Sequence, residues 1–235
     1  EAVALYEKAA TFLWEKIDQK KGRIKGRWDG RELTLPELIE REKKERSDLA
    51  KLFKWPGEAE DRGRAVRVLI ETEKGDIDVE LDAARAPVTV ANFLRYVDGH
   101  YYDGGRFHRT VKPDNQPDDK VKIEVIQAGI NPDAGKKEFP PIKLERTRDT
   151  KLAHKDGTIS MARNGPDTAT SDFFICIGDQ PELDFGGKRN PDGQGFAAFG
   201  RVVKGMDVVK KIQAARADGQ ELKPPVKIIK VTRRR

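Results

Sequence analysis

The run from Val66 to Leu81 constrains the fold most. Val66, Val68, Ile70 and Thr72 alternate with other residues, "EKGD" supplies turn chemistry, and Ile77, Val79 and Leu81 resume the alternation. A period of two places alternate side chains on one face, so the stretch reads as a β-hairpin with one buried side. An isolated hairpin is barely stable in water and needs more strands. The sequence offers them at "KIEVIQAG", "GTISMAR", "DFFICIG", "GFAAFGRVV" and "VKIIKVT". The alternation is interrupted once at Pro87, which opens a helix whose Val90, Phe93, Leu94 and Val97 share a face and which Gly99 ends. A second short helix is predicted near "MDVVKKIQ". Many short strands, two short helices and frequent turn residues point to a mainly β fold, a closed antiparallel barrel capped by two helices.

Residues 1–64 have a different texture. Val3, Tyr6, Ala10, Leu13 and Ile17 recur at three- and four-residue steps, which predicts an amphipathic helix. At "LTLPEL", Thr34 can cap a second helix, with Glu37 reaching back and Leu33 and Leu38 placed as a hydrophobic staple. That helix is polar on all sides from Glu40 to Asp48, regains an apolar face at Leu49, Leu52 and Phe53, and gives way to a linker at "KWPGEAEDRG". The expected organisation is therefore a helical N-terminal extension with its linker over 1–64 and a barrel domain over 65–235. Two such helices bury little surface alone, so they are expected to pack on the barrel, a second copy or a client protein.

Charge narrows the partners. The 235-residue chain carries a formal +6 with 37% charged residues, but acidic and basic residues are interleaved and only Arg233–Arg235 forms a basic block. Interleaved aromatics are missing, so no nucleic-acid partner is expected. No stretch approaches the roughly 20 apolar residues of a membrane span. The single Cys176 lies inside "FFICI", so no internal disulfide can form and a packing role is expected. The chain starts at Glu1 without an initiator Met or a secretory pattern; it reads as a processed or trimmed form whose compartment, cytoplasmic or exported, is not legible. "PDNQPDD" lacks the oxygen spacing of a calcium loop and reads as a solvated turn. "GGKRNPDGQG" has glycines but no following Lys-Ser/Thr helix, so phosphate binding is not expected. His100 and His154 have no ligand-like spacing, and no metal is expected.

The motifs "APVTVANFLRYVDG", "YYDGGRFHR", "VIQAG", "GTISMARNGPDTATSDFFICIGDQPELD" and "GFAAFGRVVKGMDVV" occur in an order that resembles the cyclophilin-type peptidyl-prolyl cis-trans isomerases, bacterial members in particular, over about 66–232. The resemblance implies an eight-stranded barrel, isomerisation of X-Pro bonds in peptides and unfolded clients, and no cofactor. It places the main catalytic role on Arg109 and a peptide-backbone contact on Gln127. It implies a proline pocket lined by Phe174 and Leu183, with Ala162, Arg163 and Asn164 pairing with the peptide backbone. On a regular strand His108 would point opposite to Phe107 and Arg109, so it is expected on the non-catalytic side.

This sequence departs from the family's pattern in places. "TVKPDNQPDDKVKIEVI" lengthens the link between Arg109 and Gln127, so the usual Phe and Met of the pocket wall have no clear counterpart, and Val125 is the candidate replacement. Glu182 stands where relatives carry a tryptophan, and Phe196 where they carry a histidine. A rival reading follows from these departures: a non-catalytic peptide-binding or chaperone module whose helices recruit a client.

Overall fold

The computed structural model describes residues 25–28, 31–34, 66–116 and 120–234. The chain divides into two compact units, Glu1–Pro56 and Gly57–Arg235. In the first, β1 (Lys25–Trp28) pairs antiparallel with β2 (Arg31–Thr34), Lys25 opposite Thr34 and Trp28 opposite Arg31. This corrects the expectation of an all-helical extension, because Lys25–Trp28 and Arg31–Thr34 are strands. The two strands are separated in sequence by Asp29-Gly30, the dipeptide most favoured in two-residue hairpin turns. Strands as polar as "KGRW" and "RELT" carry no apolar alternation, so only that dipeptide signals them. The helix expected over 3–17 and the one expected after Thr34 lie outside the described residues.

In the second unit, β3 (Val66–Thr72) and β4 (Gly75–Leu81) form the expected hairpin, with Val68 opposite Val79 and Ile70 opposite Ile77. The first capping helix, α1 (Pro87–Asp98), follows with proline in its first turn. Next come β5 (Arg106–Val111), β6 (Val125–Gly129), the single turn α2 (Thr147–Thr150), β7 (Thr158–Met161) and β8 (Phe173–Cys176). The chain ends with β9 (Ala197–Lys204), the second capping helix α3 (Met206–Gln213), the two-residue β10 (Ala217–Asp218) and the long β11 (Glu221–Arg234). Hydrogen bonding runs β11–β3–β4–β9–β7–β8–β6–β5 and returns from β5 to β11, a closed ring of eight antiparallel strands, with β10 paired to β11 alone.

β11 closes the ring by changing partner along its length. Residues from Ile228 to Arg234 pair with β3, whereas Glu221, Val226 and Lys227 pair with β5. The register shift between Glu221 and Val226 spans Pro224 and Pro225, which have no N–H to give to a ladder.

The barrel interior is filled by Val68, Ile70, Ile77 and Val79 of the hairpin and by an aromatic group, Phe93, Tyr102, Phe107, Phe173 and Phe199, all fully buried. Phe93 alone lies within 5.2–5.4 Å, ring centre to ring centre, of Tyr102, Phe173 and Phe199. The face of α1 that bears Val90, Phe93, Leu94 and Val97 is buried, as its spacing requires. Its first-turn N–H groups at Val88 and Thr89 are satisfied by the Glu145 carboxylate, at 3.1 and 2.8 Å. Among the described residues no helix is long and apolar enough to cross a membrane.

Candidate active site

A second, smaller apolar cluster lies outside the barrel interior. β6 and β8 build it by strand alternation. Ile126, Ala128, Phe173 and Ile175 belong to the interior, while Val125, Phe174 and Cys176 belong to the outer cluster with Val111, Ile123 and Leu183. Ala162 and Phe196 pack against it. All four residues of β8 are buried for this reason: one face meets the core and the other underlies the pocket. Burial pushes the Cys176 thiol well above its usual pKa, which leaves it an inert packing group.

The cluster opens into a cavity of about 470 Å³. Ile123, Val125, Phe174, Leu183 and Phe196 form its apolar end, and Arg109, Gln127, Thr170, Asp172 and Glu138 its polar end. Phe174 and Phe196 meet edge to face at 5.3 Å, and the Arg163 guanidinium carbon sits 5.1 Å from the Phe196 ring centre. Val125 lines the cavity. Ile123, missed in the sequence, stands beside it, two residues earlier in the same alternation. Its loop is closed by the buried Gln116, which donates to Lys112 O and Ile123 O at 2.7 and 2.8 Å and accepts from Ile123 N at 3.2 Å. Glu124 is drawn away, its carboxylate accepting from Gln213 Nε2 at 2.9 Å. Glu182 does not line the cavity; its carboxylate accepts from Lys188 N at 2.8 Å.

Arg109 is held at the rim by two amides. Its Nη1 donates to Gln127 Oε1 at 3.2 Å, and its Nε and Nη2 both donate to Gln220 Oε1, at 2.9 and 2.6 Å. Gln127 Nε2 donates in turn to Asp172 Oδ2 at 3.0 Å. Burial raises the Asp172 pKa, partly offset by the Gln127 hydrogen bond and the nearby His108, and Glu138 adds to the rise.

The expectation that Phe107 and Arg109 share a face needs correction. The β5–β6 register shifts between Phe107 and Arg109: Phe107 pairs with Ala128, and Arg109 with Gln127, the next residue along β6. The extra residue is a β-bulge at His108. Phe107 therefore fills the barrel interior while Arg109 lines the cavity, so these two do not share a face. His108 Nε2 stands 3.7 Å from Asp172 Oδ2, three links away from Arg109 through Asp172 and Gln127. Without the bulge, strict alternation would have sent Arg109 inward with Phe107.

Ala162, Arg163 and Asn164 border the same cavity. Two of their backbone donors are already engaged, Ala162 N by Asp172 O at 2.9 Å and Asn164 N by Thr168 Oγ1 at 3.2 Å. The Arg163 side chain is 1% exposed, bidentate to Asp192 at 2.7 and 2.9 Å and bonded to Gly195 O at 2.8 Å, so it braces the wall.

His154 packs beneath Phe174. It is fully buried, its Nδ1 is 2.7 Å from Asp184 Oδ1, its Nε2 is 2.9 Å from Ser160 Oγ, and its ring stacks with Phe174 at 5.9 Å and 15°. A carboxylate can only accept, so Nδ1 donates to Asp184, while the Ser160 hydroxyl can serve Nε2 as donor or acceptor. The Ser-His-Asp order is that of a hydrolase, but Ser160 is 0% exposed and no substrate reaches it. The trio supports the pocket floor. Nothing in sequence spacing pointed to it, because Asp184 and Ser160 meet His154 only in the folded barrel. Among the described residues no group of three or more His, Cys, Asp or Glu could hold a metal ion.

Residues 67–233 match the family described as cyclophilin type peptidyl-prolyl cis-trans isomerase/CLD. The chain is 39% identical over 155 residues to peptidyl-prolyl cis-trans isomerase A of Dickeya dadantii, covering 66% of this chain and 74% of that one. It is 38% identical over 151 residues to peptidyl-prolyl cis-trans isomerase cyp18 of Streptomyces antibioticus, covering 63% and 84%. In structure it is similar to a Cryptosporidium parvum cyclophilin type peptidyl-prolyl cis-trans isomerase, with a TM-score of 0.60 at 23% identity over 73% of this chain and 99% of that one. A second crystal structure of that parasite protein, determined in the presence of the dipeptide Ala-Pro, aligns with a TM-score of 0.58 over 72% and 99% of the two chains. With the barrel closed and the outer pocket in place, the family match over 67–233 settles the kinship: this chain belongs to the cyclophilin-type peptidyl-prolyl cis-trans isomerase family.

Proposed function

We propose that the groove isomerises X-Pro bonds in peptides and unfolded proteins, with Arg109 as the catalytic residue. One observation carries this reading: apolar side chains of Val125, Phe174, Leu183 and Phe196 line the same cavity as a guanidinium that two amides hold in place. A prolyl amide resists rotation by about 20 kcal/mol because resonance keeps it planar. As the bond twists, the prolyl nitrogen becomes pyramidal and gains a lone pair, and a hydrogen bond donated to that nitrogen stabilises the twisted state alone. Arg suits the task because it does not titrate and its fork is planar. No bond is broken and no proton is moved.

The basin anchors the ring while the chain rotates about it. Gln127 contributes by holding Arg109 and by offering its amide to the peptide backbone, which shares the bonds that Arg109 and Asp172 now make with it. Ala162, Arg163 and Asn164 supply the peptide-facing edge through the Arg163 N–H and the segment's carbonyls, an extended pairing of the kind peptide grooves use. Activity resides in 65–235, and 1–64 serves client binding or self-association. The test is the rate of cis/trans exchange in a short Ala-Pro peptide with the full chain. Acceleration supports the enzyme, and saturable binding without acceleration identifies a peptide-binding module.

A further inference from the structure

We infer that Gln220, at the tip of the β10–β11 turn, is a positioning residue that orients the Arg109 guanidinium through a neutral acceptor; this rests on the catalytic reading of Arg109. Gln220 is 111 positions from Arg109 in sequence and comes beside it because β11 pairs with β5, Glu221 opposite Arg109. Its Oε1 takes hydrogen bonds from Nε at 2.9 Å and from Nη2 at 2.6 Å, the two donors of one edge of the fork. Gripping that edge fixes the guanidinium plane, which a single bond to Nη1 could not do.

The amide is fixed in turn. Gln220 Nε2 donates to Asn115 O at 3.2 Å, so reversing the amide would set its NH₂ against the guanidinium and its oxygen against a carbonyl. The turn is tied at two more points: Gln220 O accepts from Thr110 N at 2.9 Å, and Asn115 Nδ2, which also donates to Thr110 O, donates to Gly219 O, each at 3.0 Å. Gly219 takes a positive φ of 56° in the two-residue turn, which lets Gln220 face Arg109. An amide, unlike a carboxylate, adds no negative charge of its own beside the guanidinium. A carboxylate in the same place would form an ion pair and draw that charge away from the prolyl nitrogen.

The experiment measures kcat and KM on an Ala-Pro peptide for the full chain carrying Gln220→Met, which keeps length and loses the acceptor, in the native and the Arg109→Ala backgrounds. The inference expects kcat to fall about tenfold with KM within about twofold, since an orientation matters in the twisted state more than in the bound ground state. In the Arg109→Ala background the same substitution should change nothing, because Gln220 acts through that side chain. An unchanged kcat in the native background, or an equal loss in both backgrounds, overturns the inference. If Arg109→Ala itself keeps native turnover, the catalytic reading fails first, and the two failures are thereby distinct. Should Gln220→Met not fold, the native chain still decides through the nitrogen-15 signal of Arg109 Nε–H: a resolved, slowly exchanging signal retained in Gln220→Glu, whose carboxylate still accepts, supports the grip, and rapid exchange in the native chain overturns it.

Discussion

Replacing Gln116 with Ala tests whether the long link between Arg109 and Gln127 builds the proline pocket or only decorates it. Gln116 is 1% exposed and makes three hydrogen bonds, to Lys112 O, to Ile123 O and from Ile123 N. Each is worth about 1 kcal/mol net, and a buried partner left unpaired costs more. Because the loop can relax and admit water, a loss of about 2 kcal/mol is the reasoned figure. For a barrel unit of this size that lowers Tm by about 4–8 °C. The same change frees Ile123, which is 7% exposed at the edge of the basin. Losing about 40 Å² of apolar contact with a proline ring costs about 1 kcal/mol, a KM about fivefold higher. kcat should stay within about twofold of native, since Arg109 and Gln220 are untouched. Peptide kinetics and a thermal melt on one preparation give both values. A lower Tm with unchanged KM would show that the loop does not wall the pocket, and an unchanged Tm would show that the three bonds carry no net stability.

Asp172→Asn should stabilise the protein at neutral pH. The folded-state pKa of Asp172 is raised, chiefly by burial, so its protonation stabilises the fold as pH falls and the charged form costs stability above the folded value. The gain of the variant over native should therefore shrink on acidification and vanish below the unfolded aspartate value of about 3.9, as denaturant midpoints across pH would show; a constant gap contradicts this. Turnover should be flat from about pH 6 to 8 and survive His108→Gln, because the mechanism moves no proton and Arg does not titrate. A sigmoidal profile abolished by that substitution would give His108 a catalytic role. A chain starting at residue 65 should keep its Tm and peptide turnover, while its effect on a proline-limited refolding reaction falls if the extension holds clients near the groove. Equal loss on both substrates argues against a client role.

The barrel was legible because its hairpins alternate cleanly: Val66 to Leu81 pairs as the spacing requires, and α1 begins at Pro87. Of the residues singled out in the sequence, Phe174, Leu183, Phe196, Val125, Arg109 and Gln127 line one cavity. What escaped was set by tertiary contact or by broken periodicity. The bulge at His108 inverted the facing of β5, and a bulge leaves no mark in a single sequence. Gln220, Asp172 and the His154–Ser160–Asp184 support are polar residues whose partners come from other elements of the fold. Ile123 was within reach, since extending the alternation of Val125 and Gln127 by one step finds it. At Lys25–Thr34, apolar stripes on either side concealed a polar hairpin that Asp29-Gly30 alone announced.

In the proposed mechanism a directed hydrogen bond from a fixed guanidinium, and not positive charge alone, lowers the barrier to rotation. Its most direct test compares the isomerisation of one Ala-Pro peptide by the native chain, Arg109→Ala and Arg109→Lys. Removing a donor that acts only in the transition state costs about 10²–10³-fold, and that loss in kcat is expected for Ala. Lysine carries the charge but cannot make the two-donor edge that Gln220 grips or present a planar fork, so it should recover less than about tenfold of the loss. Near-native turnover with Arg109→Lys would contradict the account.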